Sequence, residues 1–133
     1  MILGLVGLGC DDPEELSQSD DIELCPSEPA SDPIDVESLA IVDGKLEVSV
    51  SYGGGCEEHI VNACWDQSFA AGEPVQAQVW LTHHAMGDIC KVGITQSRVF
   101  DLSELEETWI EAYQSQHGTI EIHVGAQSIA HEF

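Results

Sequence analysis

Positive charge is nearly missing from this chain. Of 133 residues only 3 are Lys or Arg, against 25 Asp or Glu, and the formal net charge is −22. Nucleic-acid binding replaces phosphate counterions with cationic side chains, so the composition excludes it. It also excludes adhesion to anionic membrane surfaces through the polypeptide itself. There is no apolar run of the roughly 20 residues needed to span a bilayer. Neither a G-x-G-x-x-G, a P-loop nor a C-x-x-C occurs, so the nucleotide-binding folds, thioredoxin-like sites and zinc ribbons have no sequence support. There are no internal repeats.

The charge that is present is unevenly placed. Residues 1–37 hold 11 acidic residues and no basic one, together with four of the five prolines, Pro13, Pro26, Pro29 and Pro33. Residues 38–133 hold 14 acidic and 3 basic residues (Lys45, Lys91, Arg98), a net of −11. Acidic, Pro- and Ser-rich composition predicts an extended tether over residues 11–37, with the domain boundary near Asp35–Ser38. Residues 38–133 are apolar enough to build a core. Partners of such a domain are expected to be proteins, neutral ligands or cations.

Residues 1–10, Met-Ile-Leu-Gly-Leu-Val-Gly-Leu-Gly-Cys, are apolar up to the cysteine. The stretch resembles the end of a bacterial lipoprotein signal peptide, in which the last apolar residues precede a cysteine that is lipidated. Gly9-Cys10 fits that ending. Gly7 departs from the usual Leu, and a positively charged n-region is missing, so the true start is expected upstream. The resemblance implies a lipid on Cys10 as the sole membrane attachment, and a location in the bacterial cell envelope (periplasm or outer membrane) or outside the cell. With Cys10 set aside, Cys25, Cys56, Cys64 and Cys90 remain. An even remainder suits an oxidising, exported compartment, and four cysteines allow three connectivities.

The domain reads mainly as strands. Asp43-Gly44 is a two-residue hairpin signal between Ser38–Val42 and Lys45–Ser51. Leu46, Val48 and Val50 alternate with polar residues, and so do Val75, Ala77, Val79 and Leu81. Tyr52-Gly53-Gly54-Gly55-Cys56 is expected to be a loop. Further strands are predicted at His59–Trp65, Cys90–Phe100 (with Gly93 as a possible bulge), Thr119–Val124 and Gln127–Phe133. One helix interrupts them. Leu102, Leu105, Trp109, Ala112 and Tyr113 recur at helical spacing after Asp101-x-x-Glu104 and Ser103-x-x-Glu106, both of capping-box type, and Gly118 lies near the expected C-cap. The fold class is an antiparallel β-sandwich of about seven strands with one inserted helix crossing between the sheets; a small open barrel is the alternative.

Three landmarks together carry a resemblance: Tyr52-Gly-Gly-Gly-Cys56-Glu-Glu-His59, Leu81-Thr-His83-His84-Ala-Met-Gly87-Asp88-Ile-Cys90, and Phe100-Asp101-Leu102-Ser-Glu-Leu105. The set is similar to a group of uncharacterised bacterial lipoproteins of myxobacterial type, and to NigD-like C-terminal domains. It covers residues 38–133 and implies an envelope-anchored or secreted β-rich domain with no established activity. It also implies a Cys56–Cys90 bridge, which leaves Cys25 and Cys64 as the second pair.

Four constellations could carry chemistry. His59, His83, His84 and Asp88 flank Cys56 and Cys90, and imidazoles with a carboxylate suit Zn²⁺ or Cu²⁺. His59, His83 and Asp88 are the expected ligands, because adjacent histidines in a strand face opposite ways. With free thiols in place of the bridge, the same cluster becomes a Cys/His metal site. The competing structural reading has the histidines hydrogen-bonding loop backbone around a disulfide while Asp88 caps the Met86-Gly87 turn. Ser49, Ser51, His59 and Asp88 supply triad residue types for a hydrolase, without a G-x-S-x-G elbow. The acidic pairs Asp11-Asp12, Glu14-Glu15 and Asp20-Asp21-Ile22-Glu23 offer oxygens to Ca²⁺, without an EF-hand loop. Trp65, Trp80 and Trp109 are candidates for a stacking platform or for the core. The balance is a non-enzymatic binding or structural module without a cofactor, the alternative being a Zn- or Cu-binding protein.

Overall fold

The computed structural model describes residues 19–133. The expected lipidation site, Cys10, lies outside the described residues, as do Asp11, Asp12, Glu14 and Glu15 of the N-terminal acidic run. Eight strands and one helix follow in the order β1 (Ile22–Leu24), β2 (Asp35–Val42), β3 (Lys45–Gly54), β4 (Ile60–Trp65), β5 (Val75–His84), β6 (Val92–Phe100), α1 (Ser103–Tyr113), β7 (Thr119–Val124) and β8 (Gln127–Glu132). They form a five-stranded sheet, β1-β4-β5-β7-β8, and a three-stranded sheet, β2-β3-β6. The described residues are thus mainly β, in two sheets with one helix and no closed barrel. Helix α1 carries the chain from β6 in the smaller sheet to β7 in the larger one.

Period-two patterning explains the core. Leu46, Val48 and Val50 of β3 turn inward against Ala63 and Trp65 of β4, Ala77 and Val79 of β5, and Ile120, Ile122 and Val124 of β7. Phe100, Leu102 and Leu105 close one end of this layer. The β2–β3 hairpin turns at Asp43-Gly44, both at positive φ (53° and 75°), as the Asp-Gly signal requires. Two neighbour relations are parallel, β1 with β4 and β5 with β7, so the sandwich is not wholly antiparallel.

Four expectations need correction. First, packed structure starts well before Asp35–Ser38. Asp20 bridges Phe100, β1 pairs with β4, Cys25 is bonded to Cys64, and Asp32 donates its N–H to the His83 carbonyl at 2.8 Å. Residues 19–34 are a strap tied to β6 of the smaller sheet at Asp20 and to β4 and β5 of the larger sheet beyond it. Second, Tyr52–Gly54 continue β3, with Gly53 opposite Gly93, and the register there is unbroken; the irregularity lies in β2, between Val36 and Ser38. Third, the helix uses neither capping box. Its N-cap, Leu102, makes no side-chain bond, and Asp101 Oδ1 instead accepts the Ser103 N–H at 2.7 Å. Fourth, the C-cap is Gln114, in the left-handed region with its N–H on the Ile110 carbonyl, rather than Gly118.

Asp101 yields a first prediction. Its hydrogen bonds from the Ser103 hydroxyl, then from the Ser103 N–H, hold its carboxyl below the usual range. A depressed folded-state value means the contribution is complete above the unfolded carboxyl's titration near about pH 4, and is lost as pH falls through the folded value. Asp101→Ala is expected to cost about 1 kcal/mol at pH 7. Urea titrations at pH 7 and pH 3 check this; the cost should shrink at the lower pH.

Candidate functional site

The site lies where the end of β3, the loop leading into β4, the end of β5 and the turn after it converge. Two disulfides organise the described residues: Cys25–Cys64 and Cys56–Cys90. The second joins the loop after β3 to the loop before β6, and so ties one sheet end to a turn leaving the other sheet.

Asp88 is the hub. The chain reverses at Met86-Gly87, both at positive φ, and Asp88 follows with its N–H on the Ala85 carbonyl. Its Oδ1 accepts the Cys90 N–H at 2.9 Å. Its Oδ2 accepts N–H groups from Cys56 at 3.2 Å and Glu57 at 3.0 Å, and lies 2.8 Å from His59 Nε2. The carboxyl is held far below its ordinary range, first by the His59 hydrogen bond and then by the backbone N–H groups, which outweigh the opposing effect of desolvation. One carboxylate therefore orders both loops that carry the Cys56–Cys90 bridge.

His59 passes the chain inward. Its Nδ1 is 2.7 Å from His83 Nε2, and His83 Nδ1 is 2.8 Å from the Pro33 carbonyl of the strap. The His59 and Asp88 side chains are 2% and 0% exposed. Tyr52, continuing the inward face of β3, lies against His59 (centroids 4.4 Å apart, planes at 20°) and His83 (4.6 Å). His84 points outward and is exposed, as alternation demands.

Proton counting fixes the charge of this relay. The Pro33 carbonyl only accepts, so His83 Nδ1 carries a hydrogen. The Asp88 carboxylate only accepts, so His59 Nε2 carries one as well. A third must lie between His59 Nδ1 and His83 Nε2. Three hydrogens on two imidazoles make one positive charge, which balances Asp88. Every ring nitrogen is then engaged inside the protein, and so is each Asp88 oxygen.

Gly54 is the residue that makes room. A Cβ there would sit 2.7 Å from His59 Nε2 and 3.1 Å from Asp88 Oδ2, whereas a Cβ on Gly53 meets nothing closer than 4.0 Å. Gly54→Ala is expected to destabilise the domain by about 1–3 kcal/mol through overpacking. Gly53→Ala should stay near the parent. Paired denaturation curves decide it, and equal effects would refute the assignment.

Among the described residues the other constellations are not assembled, and Asp11, Asp12, Glu14 and Glu15 lie outside them. Ser49 and Ser51 lie on the face of β3 opposite Tyr52, and Ser51 donates to Glu37 Oε2. Asp20 pairs with Arg98 at 2.7 Å. Trp65 is fully buried, Trp109 packs edge-on to Phe133 and against Tyr113, and Trp80 is half-buried. Sequence reasoning missed Tyr52, Gly54 and the Pro33 carbonyl. It also missed His131, which is buried, bonds Glu106 through Nε2 at 2.7 Å, and leaves Nδ1 without a partner.

No family model matches the chain, and no curated protein matches it. Solved structures of similar fold do exist. A NigD-like immunity protein from Bacteroides caccae superposes with a TM-score of 0.56 at 17% identity, covering 84% of this chain and 57% of that one. A Bacteroides fragilis protein bearing the name "Putative lipoprotein" gives a TM-score of 0.52 at 10% identity, covering 86% of this chain and 68% of that one. At these identities the likeness is one of fold, and this chain spans little more than half of the first protein's length.

Proposed function

We propose that this is an exported, lipid-anchored envelope protein whose described domain is a non-enzymatic binding or structural module. The observation that carries the reading is the pair of disulfides, Cys25–Cys64 and Cys56–Cys90, in a chain whose fifth cysteine, Cys10, ends an apolar run. Bridges of this kind persist in oxidising compartments. The fold shared with a protein that carries a lipoprotein's name supports the same location. A binding or structural role is supported by the His59–His83–Asp88 relay, which spends its nitrogens and oxygens on internal hydrogen bonds and so offers substrate no free base.

Mass spectrometry of protein taken from its native compartment tests the proposal. Before reduction, alkylation should add nothing to Cys25, Cys56, Cys64 or Cys90; after reduction it should label all four. Metabolic labelling with a fatty acid should mark the protein, and Cys10→Ser should abolish the mark. Four thiols that alkylate without reduction would overturn the exported, stapled reading, and a fatty-acid label surviving Cys10→Ser would overturn the anchor.

A further inference from the structure

The proton between His59 Nε2 and Asp88 occupies a place made for a cation. The Pro33 carbonyl fixes a hydrogen on His83 Nδ1, and neutral His83 then receives the hydrogen of His59 Nδ1. That tautomer leaves His59 with an Nε2 lone pair aimed at a carboxylate 2.8 Å away. Two electron-rich groups at that separation require something electrophilic between them. A histidine whose far nitrogen donates into a fixed chain of acceptors is also how metal-binding imidazoles are oriented.

The sulfurs of Cys56 and Cys90 lie beside the same carboxylate. One ligand atom each from Cys56, Asp88 and Cys90 falls within 4.8 Å of the others, and the two cysteine Cα atoms are 5.8 Å apart. In a tetrahedral zinc site, with Zn–S near ~2.3 Å, two sulfurs stand about 3.8 Å apart. Parting the two sulfurs from a bond length of about 2.05 Å therefore asks for less than about 2 Å of movement between them. They must also close on His59 Nε2, which stands outside that 4.8 Å group and reaches it through Asp88 Oδ2 at 2.8 Å. The site is reached from outside through an open cavity of about 690 Å³ bordered by Gly53, Asp88, Cys90 and Lys91. A second cavity, of about 430 Å³, reaches it from the side of Cys56 and His59.

We infer that the dithiol form of this protein is a metal site, in which Cys56, Cys90, Asp88 and His59 hold one divalent cation of the zinc class, and that the Cys56–Cys90 disulfide is its oxidised, metal-free state. A dithiol reductant breaks the Sγ–Sγ bond by giving two electrons and two protons, and itself becomes a disulfide. The cation then displaces the two thiol protons and the proton held between His59 Nε2 and Asp88. Two thiolates, one carboxylate and one neutral imidazole form an S₂NO set suited to Zn²⁺. The Cys25–Cys64 bridge is not among these ligands and joins the strap to β4 elsewhere, so it is not needed for the site.

Cobalt(II) is the probe. Protein reduced anaerobically with a water-soluble phosphine, which leaves as its oxide, is titrated with Co²⁺. The expected result is a thiolate-to-cobalt charge-transfer band that saturates at one equivalent and is erased by Zn²⁺. Oxidised protein should give no band. Cys25→Ser/Cys64→Ser should keep the band and Cys56→Ser/Cys90→Ser should lose it. Asp88→Asn and His59→Gln should each weaken cobalt binding by at least about tenfold. Circular dichroism before and after metal follows folding: a reduced chain that unfolds and is refolded by Co²⁺ supports the site, and one that stays unfolded overturns it. A band that survives Cys56→Ser/Cys90→Ser, an unchanged affinity in both Asp88→Asn and His59→Gln, or no band in the reduced parent overturns it as well.

Discussion

A Cys25→Ser/Cys64→Ser variant is expected to lose about 4 kcal/mol of stability, because the bridge closes a loop with a sequence separation of 39. Apart from Asp20, whose N–H bonds the Val99 carbonyl, whose carbonyl accepts the Asp101 N–H and whose carboxylate pairs with Arg98, little else holds that end of the strap. Strand β1 is three residues long, sits at the edge of the larger sheet and meets only β4. Its apolar contribution to the core is Ile22, which is 3% exposed. Cys25 also donates its N–H to the Trp65 carbonyl, so the bridge and the ladder reinforce one another at β4. Without the bond, the entropy of ordering residues 19–34 is set against one buried isoleucine and a few hydrogen bonds. The strap should therefore open before the sandwich does. Urea denaturation gives the total loss, and hydrogen exchange locates it: amides of Ile22–Leu24 should exchange far faster, while those of β3 and β6 slow down or speed up only with global stability. A loss below about 1 kcal/mol would show that packing, not the cross-link, holds the strap.

That strap is also where sequence and structure part. The β3 register, the Asp43-Gly44 hairpin and the inward set Val75, Ala77, Val79 and Leu81 are all local statements, and periodicity carries them. The strap's order comes from distant partners: a three-residue strand has no period to detect, and Pro26, Pro29 and Pro33 with scattered acids describe equally well a solvated tether and a chain pinned by a disulfide. The parallel pairings of β1 with β4 and β5 with β7 are likewise non-local. Glycines misled for a different reason. Gly53 and Gly54 have poor strand propensity, yet β3 extends through them because Gly53 faces Gly93 across the ladder and Gly54 leaves the space that His59 and Asp88 fill. At the site, the side chains were legible as a cluster flanking two cysteines. Its outer partners were not: the Pro33 acceptor is a backbone carbonyl, which no residue type announces, and Tyr52 reaches the histidines only once β3 is known to continue.

Removing His83 should be about as costly as removing the bridge, and the adjacent histidine supplies the control. His83 is 2% exposed and stands between the Pro33 carbonyl and His59. His83→Ala leaves that carbonyl and the His59 Nδ1 both without partners in a buried place, at about 1–3 kcal/mol each. It also takes a ring from against Tyr52 and opens a void, so the expected sum is about 4 kcal/mol. His84→Ala, one residue along the same strand, removes an exposed side chain and should stay within about 0.5 kcal/mol of the parent. Both measurements belong on oxidised protein with its two disulfides intact, so that cross-linking is held constant. Equal losses would mean that the relay contributes nothing beyond the local strand. The predicted gap has a structural consequence besides its size. Pro33 is where the strap meets the relay, and Asp32 is tied to β5 by its N–H on the His83 carbonyl and by its Oδ2, which accepts the Ala85 N–H. Those backbone-directed bonds survive His83→Ala. The strap should therefore stay closed at Asp32 while the Cys56–Cys90 end loosens, the reverse of the pattern expected when Cys25–Cys64 is removed.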